Sequence, residues 1–274
     1  MIGRPTIKSI QNDKIKSLIR LRKRRERETT GLVLVEGIRE IDRAAGGGAE
    51  IGEVFAAPDI VSGDGEASSL LRRLEDMRVP VTHVSRRVFD KIAYRGGTGG
   101  LVATARMRKL SLERLPQEEN PLILVIDKVE KPGNLGAAFR SADGAGATGL
   151  ILCDTGADPS NPNVIRASLG TVFTVPFAAA DTNAAIRYLR DRGIAIITST
   201  PEGGSPYTGI DMTPPCAIVL GSEDSGVSKR WMDASDALAV IPMRGVADSL
   251  NVSAAAAVLL YEAARQRSAG NQAP

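Results

Sequence analysis

The sequence predicts an α/β protein of two domains. Three observations carry that reading. Apolar strands alternate with helical stretches along the whole chain, and the strands change character near residue 110. The length is 274 residues, about two domains' worth at roughly 100–200 residues each. Hydrophobic residues make up 43% and charged residues 24%, which excludes global disorder. No apolar run reaches the roughly 18 residues of a membrane helix. The opening MIGRPTIKSIQNDK has no apolar core and no small-residue cleavage site, so a secretory signal is not expected and a cytoplasmic protein is.

The first domain begins with a helix over 12–28. Ile15, Leu18, Ile19 and Leu21, with Ile10 before them, form a narrow apolar stripe, Lys and Arg fill the rest, and Asn12 is the N-cap. A short strand and turn follow at 31–37, then a helix over 38–45 that stops at the glycines of 46–48. Further strands read at 51–56 and 79–84, with a helix over 70–77 between them. The segment 63–66 reads as a loop, and 95–100 as a flexible connection into a strand at 101–105. Residues 106–120 have few apolar groups. The division is a first domain at 1–108, a linker at 109–120 and a second domain at 121–274.

In the second domain the strands are continuously apolar: 122–126, 149–153, 171–176, 194–198, 217–220 and 237–241. Helices fit between most of them, at 134–145, 161–169, 182–192, 226–233 and 252–267. Such strands separated by helices predict a parallel sheet covered on both faces. The last seven residues, from Ser268, read as a frayed tail.

Charge is divided unevenly. Residues 1–115 hold 23 Lys+Arg against 15 Asp+Glu, and residues 116–274 hold 12 against 17. The steepest excess includes Arg20, Arg22, Lys23, Arg24, Arg25 and Arg27. A front half this basic points to a polyanion; the alternative is a solvated helix with Glu26 and Glu28 as partial partners. Cys153 and Cys216 lie in apolar segments and read as buried reduced thiols. One histidine and two cysteines build no zinc site, so no metal is expected. His83 reads as a strand-edge residue rather than a catalyst.

Three strand-to-helix loops have chemistry-bearing residues. The first runs from Asp127 through Gly133-Asn134-Leu-Gly136 to Arg140. Its glycines allow close backbone approach at a helix start. Asp154 stands where a dinucleotide's ribose-binding acid would, but the glycine spacing is wrong for that fold. Arg140 alone reads equally as an ion-pair partner of Asp143 or Asp127. The second loop, Leu220-Gly221-Ser222-Glu223-Asp224, places two carboxylates at a sheet end, where ligands bind in open α/β folds. They could instead stabilise the next helix start. The third, from Ile241 to Ser253, places Ser249, Asn251 and Ser253 at a helix N-terminus. One of them suffices as a cap, and the surplus can bond a ligand.

Taken together and in order, N-x-G-A-A-x-R, L-G-S-E-x-x-G-V and I-P-M-x5-S-L-N-V-S resemble the three signature motifs of the SpoU (TrmH-type) RNA ribose 2′-O-methyltransferases of the SPOUT superfamily. The first domain is similar to that family's small substrate-binding module, related to a ribosomal-protein fold, through 9–16 and 34–40. The layout resembles ribosomal RNA methyltransferases that protect antibiotic producers. The resemblance implies a deep trefoil knot in the second domain, a homodimer, and S-adenosylmethionine as cofactor. It implies cofactor contacts from Thr198, Ser199, Thr200, Leu220, Gly221, Ile241, Met243, Ser249 and Leu250. Asn134, Arg140, Glu223 and Asn251 would be the catalytic set, with Arg140 as base or phosphate clamp. Phosphate contacts are expected from Lys8, Lys14, Lys16, Arg20, Arg22, Lys23, Arg24 and Arg25. Ribosomal RNA is the leading partner, ahead of transfer RNA. A non-catalytic RNA-binding assembly factor is the competing class.

Overall fold

The computed structural model describes residues 5–61, 65–93, 99–154, 156–201 and 203–270. The chain divides into two compact units, Met1–Arg108 with Ser160–Thr174, and Lys109–Pro159 with Val175–Pro274. Most of the 95–100 connection, residues 63–64 of the expected loop and the last four residues lie outside the described residues.

The first unit holds strands β1 (Thr6–Ile7), β2 (Leu32–Glu36), β3 (Glu50–Ala56), β4 (Val81–Val84) and β5 (Leu101–Arg106) in the order β1-β4-β3-β5-β2. Its helices are α1 (Asp13–Arg20), α2 (Arg24–Thr30), α3 (Ile38–Gly46), α4 (Glu66–Asp76) and α5 (Arg86–Ile92). The sheet is mixed: β4 runs parallel to β1 and β3, and β5 antiparallel to β2 and β3. His83 is therefore on an interior strand, not at an edge.

The single helix expected over 12–28 is two. Asn12 caps α1 as anticipated, its side chain accepting from the Lys14 N–H at 3.0 Å. Ile15, Leu18 and Leu21 bury against Val84, Val88, Phe89 and Ile92. Beyond Leu21 no apolar residue continues the stripe before Leu32, so the chain breaks at 21–23 and restarts as α2. The sequence reading also passed over α5. Its signals were Ser85, which accepts from the Val88 N–H at 3.4 Å, and the apolar spacing of Val88, Phe89 and Ile92.

The second unit is one sheet of seven strands, all parallel, in the order β10-β12-β9-β11-β6-β7-β8. They are β6 (Leu122–Asp127), β7 (Gly149–Cys153), β8 (Phe177–Ala180), β9 (Ala195–Ser199), β10 (Ser205–Pro206), β11 (Cys216–Leu220) and β12 (Ala237–Val240). Its helices are α6 (Pro132–Gly144), α8 (Thr182–Asp191), α9 (Lys229–Ala234) and α10 (Val252–Gly270). Helix α7 (Pro162–Ala167) belongs to the segment that packs with the first unit.

Alternation along β6 explains the two covered faces. Ile123 and Val125 join a core with Ala185, Leu189 and Trp231 from α8 and α9. Leu122, Leu124 and Ile126 point the other way and are equally buried, on the side where α6 and α10 pack together. The long α10 is held at its far end by Arg267, which donates to the carbonyls of Asn120, Met212 and Pro214 at 2.8–3.0 Å. Residues 268–270 are therefore helix rather than frayed tail.

Two further expectations change. The strand placed at 171–176 is a 3₁₀ turn at Thr171–Phe173, and β8 starts only at Phe177. Gly170 takes a left-handed φ of 85° and Pro176 has no N–H to give a ladder. The turn's apolar residues are buried because the segment lies in the first unit: Arg43 donates to the Leu169 carbonyl at 2.7 Å. The 109–120 stretch is not a loose tether. Leu110 bridges to Ala178, and Leu112 and Leu115 sit in the core of the second unit.

Both cysteines are buried free thiols, and burial pushes each thiol's pKa up. Among the described residues no helix is long and apolar enough to cross a membrane, and no metal-binding group of side chains is found.

Candidate active site

The three loops meet at one end of the parallel sheet. The first opens α6. Lys131 is the N-cap and Pro132 fixes the first turn, so Asn134 projects one turn into the helix. The second is held by a tight turn in which Ser222 and Gly226 exchange backbone hydrogen bonds at 3.2 and 3.0 Å. Gly226 is left-handed, with φ 64°. A Cβ on Gly221 would lie 2.2 Å from the Gly226 backbone, so only glycine lets this turn close. Its tip presents Glu223. Helix α9 begins only at Lys229 with Ser228 as N-cap, so Glu223 and Asp224 are not there to stabilise a helix start. In the third loop Asn251 does two jobs. Its side-chain oxygen caps α10, accepting from the Ser253 N–H at 3.0 Å and the Ser253 hydroxyl at 2.6 Å. Its amide nitrogen turns away, toward the other two loops.

The result is a polar knot of side chains. Asn134 Nδ2 donates to Glu223 Oε1 at 2.8 Å. Asn251 Nδ2 donates to the same oxygen, and to Asn134 Oδ1 at 3.3 Å. Lys131 Nζ donates to Glu223 Oε2. The Lys131 ammonium and the Asn134 amide hold the Glu223 carboxyl below the usual carboxylate range, against a partial burial that pushes it up. The group therefore stands as an ionised, oriented acceptor.

Two adjoining cavities share Ser222, Glu223, Ser225 and Val252. The smaller, about 280 Å³, is lined by Lys131, Asn134 and Glu223 of the polar cluster and walled by Lys128, Glu130, Asp154 and Asp224. The larger, about 830 Å³, is lined by Ser199, Thr200, Leu220, Gly221, Ile241, Met243, Ser249 and Leu250, together with Met232 and the 245–248 loop. Thr198 is not in that wall: it is fully buried and its hydroxyl is bonded to Ser235 at 2.5 Å.

Arg140 stands apart. It lies six residues beyond Asn134, about 9 Å along α6 and on another face. It is exposed, lines neither cavity and makes no ion pair among the described residues. Neither Asp127 nor Asp143 is its partner: the Asp127 carboxylate accepts from the Ser228 N–H at 2.9 Å. The structure thus brings together Asn134, Glu223 and Asn251 and adds Lys131, which sequence reasoning passed over.

The basic run disperses. Arg22 donates to the carbonyls of Lys91 and Ile92 at 3.1 and 2.8 Å, closing the C-terminal end of α5, and is thus no free phosphate ligand. Arg27 is buried, donating to Ser160 Oγ at 3.1 Å and to the Leu21 and Arg22 carbonyls at 2.9 Å. Lys14 pairs with Glu53, Lys16 with Asp13, Arg20 with Glu26 and Arg24 with Glu28. Lys8, Lys23 and Arg25 are exposed, and among the described residues their side chains have no ion-pair partner.

The sequence pattern of the SpoU rRNA Methylase family matches residues 121–261, and that of an MRM3-like substrate binding domain matches 12–103. A 23S rRNA (guanosine-2′-O-)-methyltransferase, RlmB of Photobacterium profundum, is 34% identical over 222 residues, which is 78% of this chain and 89% of the relative. A crystal structure described as an RNA 2′-O ribose methyltransferase superposes with a TM-score of 0.84 at 38% identity, over 96% of this chain and 99% of the other. The AdoMet-bound rRNA methyltransferase of Sinorhizobium meliloti gives 0.86 at 29%, over 95% and 97%. With the three loops closing on one acceptor and matches of this extent, the chain belongs to the SpoU rRNA methylase family.

Proposed function

We propose that the chain is an S-adenosylmethionine-dependent RNA ribose 2′-O-methyltransferase acting on 23S ribosomal RNA, with Asn134, Glu223 and Asn251 holding the target ribose. The observation that carries this is the convergence of two amides on one oxygen of an ionised carboxylate, beside a cavity of suitable size. About 830 Å³ is within the roughly 300–1,000 Å³ of small-molecule sites. Its apolar sides at Leu220, Ile241, Met243 and Leu250 suit an adenine, and the hydroxyls of Ser199, Thr200 and Ser249 suit polar ends, so these residues fit the cofactor. Thr198 supports that wall from behind.

When bound, the cofactor supplies an electrophilic sulfonium methyl group. For transfer of that methyl group to a ribose 2′-oxygen, Asn134, Glu223 and Asn251 would hold the sugar, with the hydroxyl hydrogen directed at the Glu223 carboxylate. The protein's work is positioning, with reacting atoms about 3–3.5 Å apart. Asn134 and Asn251 fix the carboxylate that accepts from the hydroxyl. No metal enters this scheme.

Arg140 acts as a phosphate clamp from a second copy of the chain. It shares a face of α6 with Gly144, where a Cβ would lie 2.6 Å from the half-exposed Tyr261 of α10. A homodimer through α6 and α10 carries that arginine to the partner's site. The family's trefoil knot belongs to this reading, supported by a sheet in which β12, late in sequence, lies between β10 and β9. Residues 1–108 grip RNA, with Lys8, Lys23 and Arg25 as the leading phosphate contacts.

Labelled-methyl transfer to unmodified 23S and transfer RNA, with mapping of 2′-O-methyl stops, tests the function. Transfer to 23S RNA alone is expected. Methylation of transfer RNA alone moves the substrate, and folded protein without transfer to either supports the non-catalytic assembly factor. A drug-protective role requires the mapped ribose to lie in a drug-binding site. Mixing Arg140→Ala with Asn251→Ala subunits tests the clamp. About a quarter of wild-type activity returns if Arg140 serves its partner, and none if it serves its own chain.

A further inference from the structure

Lys131 breaks a local rule. It is the N-cap of α6, where Ser, Thr, Asn or Asp is favoured because a side-chain oxygen can accept from the first free N–H groups. Lysine offers no such acceptor, and none is made here. It also places a cation at the positive end of the helix dipole. Helices α1, α5, α7 and α8 are capped by Asn12, Ser85, Asn161 and Asp181, each accepting from a backbone N–H, whereas α2, like α6, starts at a lysine, Lys23, that makes no cap bond; what sets Lys131 apart is its partner.

The compensation is across the cavity, at Glu223 Oε2. Among the described residues four carboxylates line this small space, Glu130, Asp154, Glu223 and Asp224, and two ammonium groups, Lys128 and Lys131. A phosphodiester approaching such a wall is repelled unless the carboxylate it must meet is paired. The Lys131 side chain is 66% exposed and that of Glu223 only 23%, so the pair has its cationic end outward. An ammonium carries three donors, and Glu223 takes one.

We propose that Lys131 is a positioning residue of the transfer site: it holds Glu223 turned toward Asn134 and Asn251 and presents its remaining donors to the phosphate of the incoming RNA. This rests on the reading of Asn134, Glu223 and Asn251 as the ribose-holding set. The pairing that raises the Lys131 pKa also keeps Glu223 ionised at lower pH. Removing the ammonium lets the acid limb of the rate profile move up.

The test compares Lys131→Ser, Lys131→Arg and Asn251→Ala, using 23S RNA transcribed in vitro. Lys131→Ser supplies the missing cap, so it keeps or raises the thermal midpoint. It nonetheless lowers kcat about tenfold, raises KM for RNA and shifts the acid limb upward, a combination no structural role gives. Lys131→Arg restores KM and the acid limb. In a Glu223→Gln background, Lys131→Ser costs no further kcat. Wild-type kcat, KM and acid limb in Lys131→Ser, with Asn251→Ala inactive, overturn the role of Lys131 alone. Wild-type activity in both variants overturns the ribose-holding set itself.

Discussion

The polar cluster at the sheet end and the basic run at the front are opposite cases of sequence becoming surface. Asn134, Glu223 and Asn251 are scattered over more than a hundred positions, yet two of them bond to one oxygen of the third. Arg20 to Arg27 are nearly contiguous, yet they face solvent, acidic partners and buried carbonyls in turn. A parallel sheet gathers its C-terminal loops at one edge whatever their separation along the chain. A broken helix spreads neighbouring residues around its axis, and charge follows wherever a partner waits. Contiguity of charge is therefore weaker evidence for a site than convergence of loops.

The sharpest way to break that comparison is Asn251→Ala. The variant loses the donor to Glu223 and Asn134 and the cap of α10 together, and methyl transfer falls about 10²- to 10³-fold. Asn251→Ser keeps a cap. If activity follows the cap rather than the amide, the cluster is scaffolding. Arg27→Ala comes next, and its effect is on stability. The buried guanidinium satisfies two carbonyls and Ser160, so its loss costs about 2–4 kcal/mol in urea unfolding. Arg22→Gln removes two bonds at the end of α5 and costs about 1 kcal/mol. An RNA-affinity loss without a stability loss in either variant would return these arginines to the grip.

Much of this was legible. The α/β class, five of the seven strands of the second unit (β6, β7, β9, β11 and β12) and the three loops follow from apolar periodicity, glycine placement and polar residues at helix starts. Distant pairings were not. Nothing in RLRKRRER says that Arg27 will find Ser160, because that partner lies 133 positions away. Nothing in T-V-F at 171–173 distinguishes a strand from a buried turn until Gly170 takes its left-handed φ. Lys131 was legible in principle, as a cation where a cap belongs, but its meaning required Glu223. Arg140 is the converse: the motif identifies it, while a single chain leaves it on the outside of α6.

The smallest expected effect is also the most direct reading of the basic run. If Lys8, Lys23 and Arg25 are the cations left for phosphate, replacing all three by Gln flattens the dependence of log K on log salt by about 0.7–0.9 for each lost contact. At moderate salt that is a modest loss of affinity, and the unfolding free energy stays where it was. Replacing Lys14, Lys16, Arg20 and Arg24 instead changes the slope less per residue, because each already neutralises an acidic neighbour that must be released before a phosphate is gained. Equal slopes for the two sets would mean that those surface pairs open freely when RNA arrives. The number of charges in the run would then matter and their partners would not.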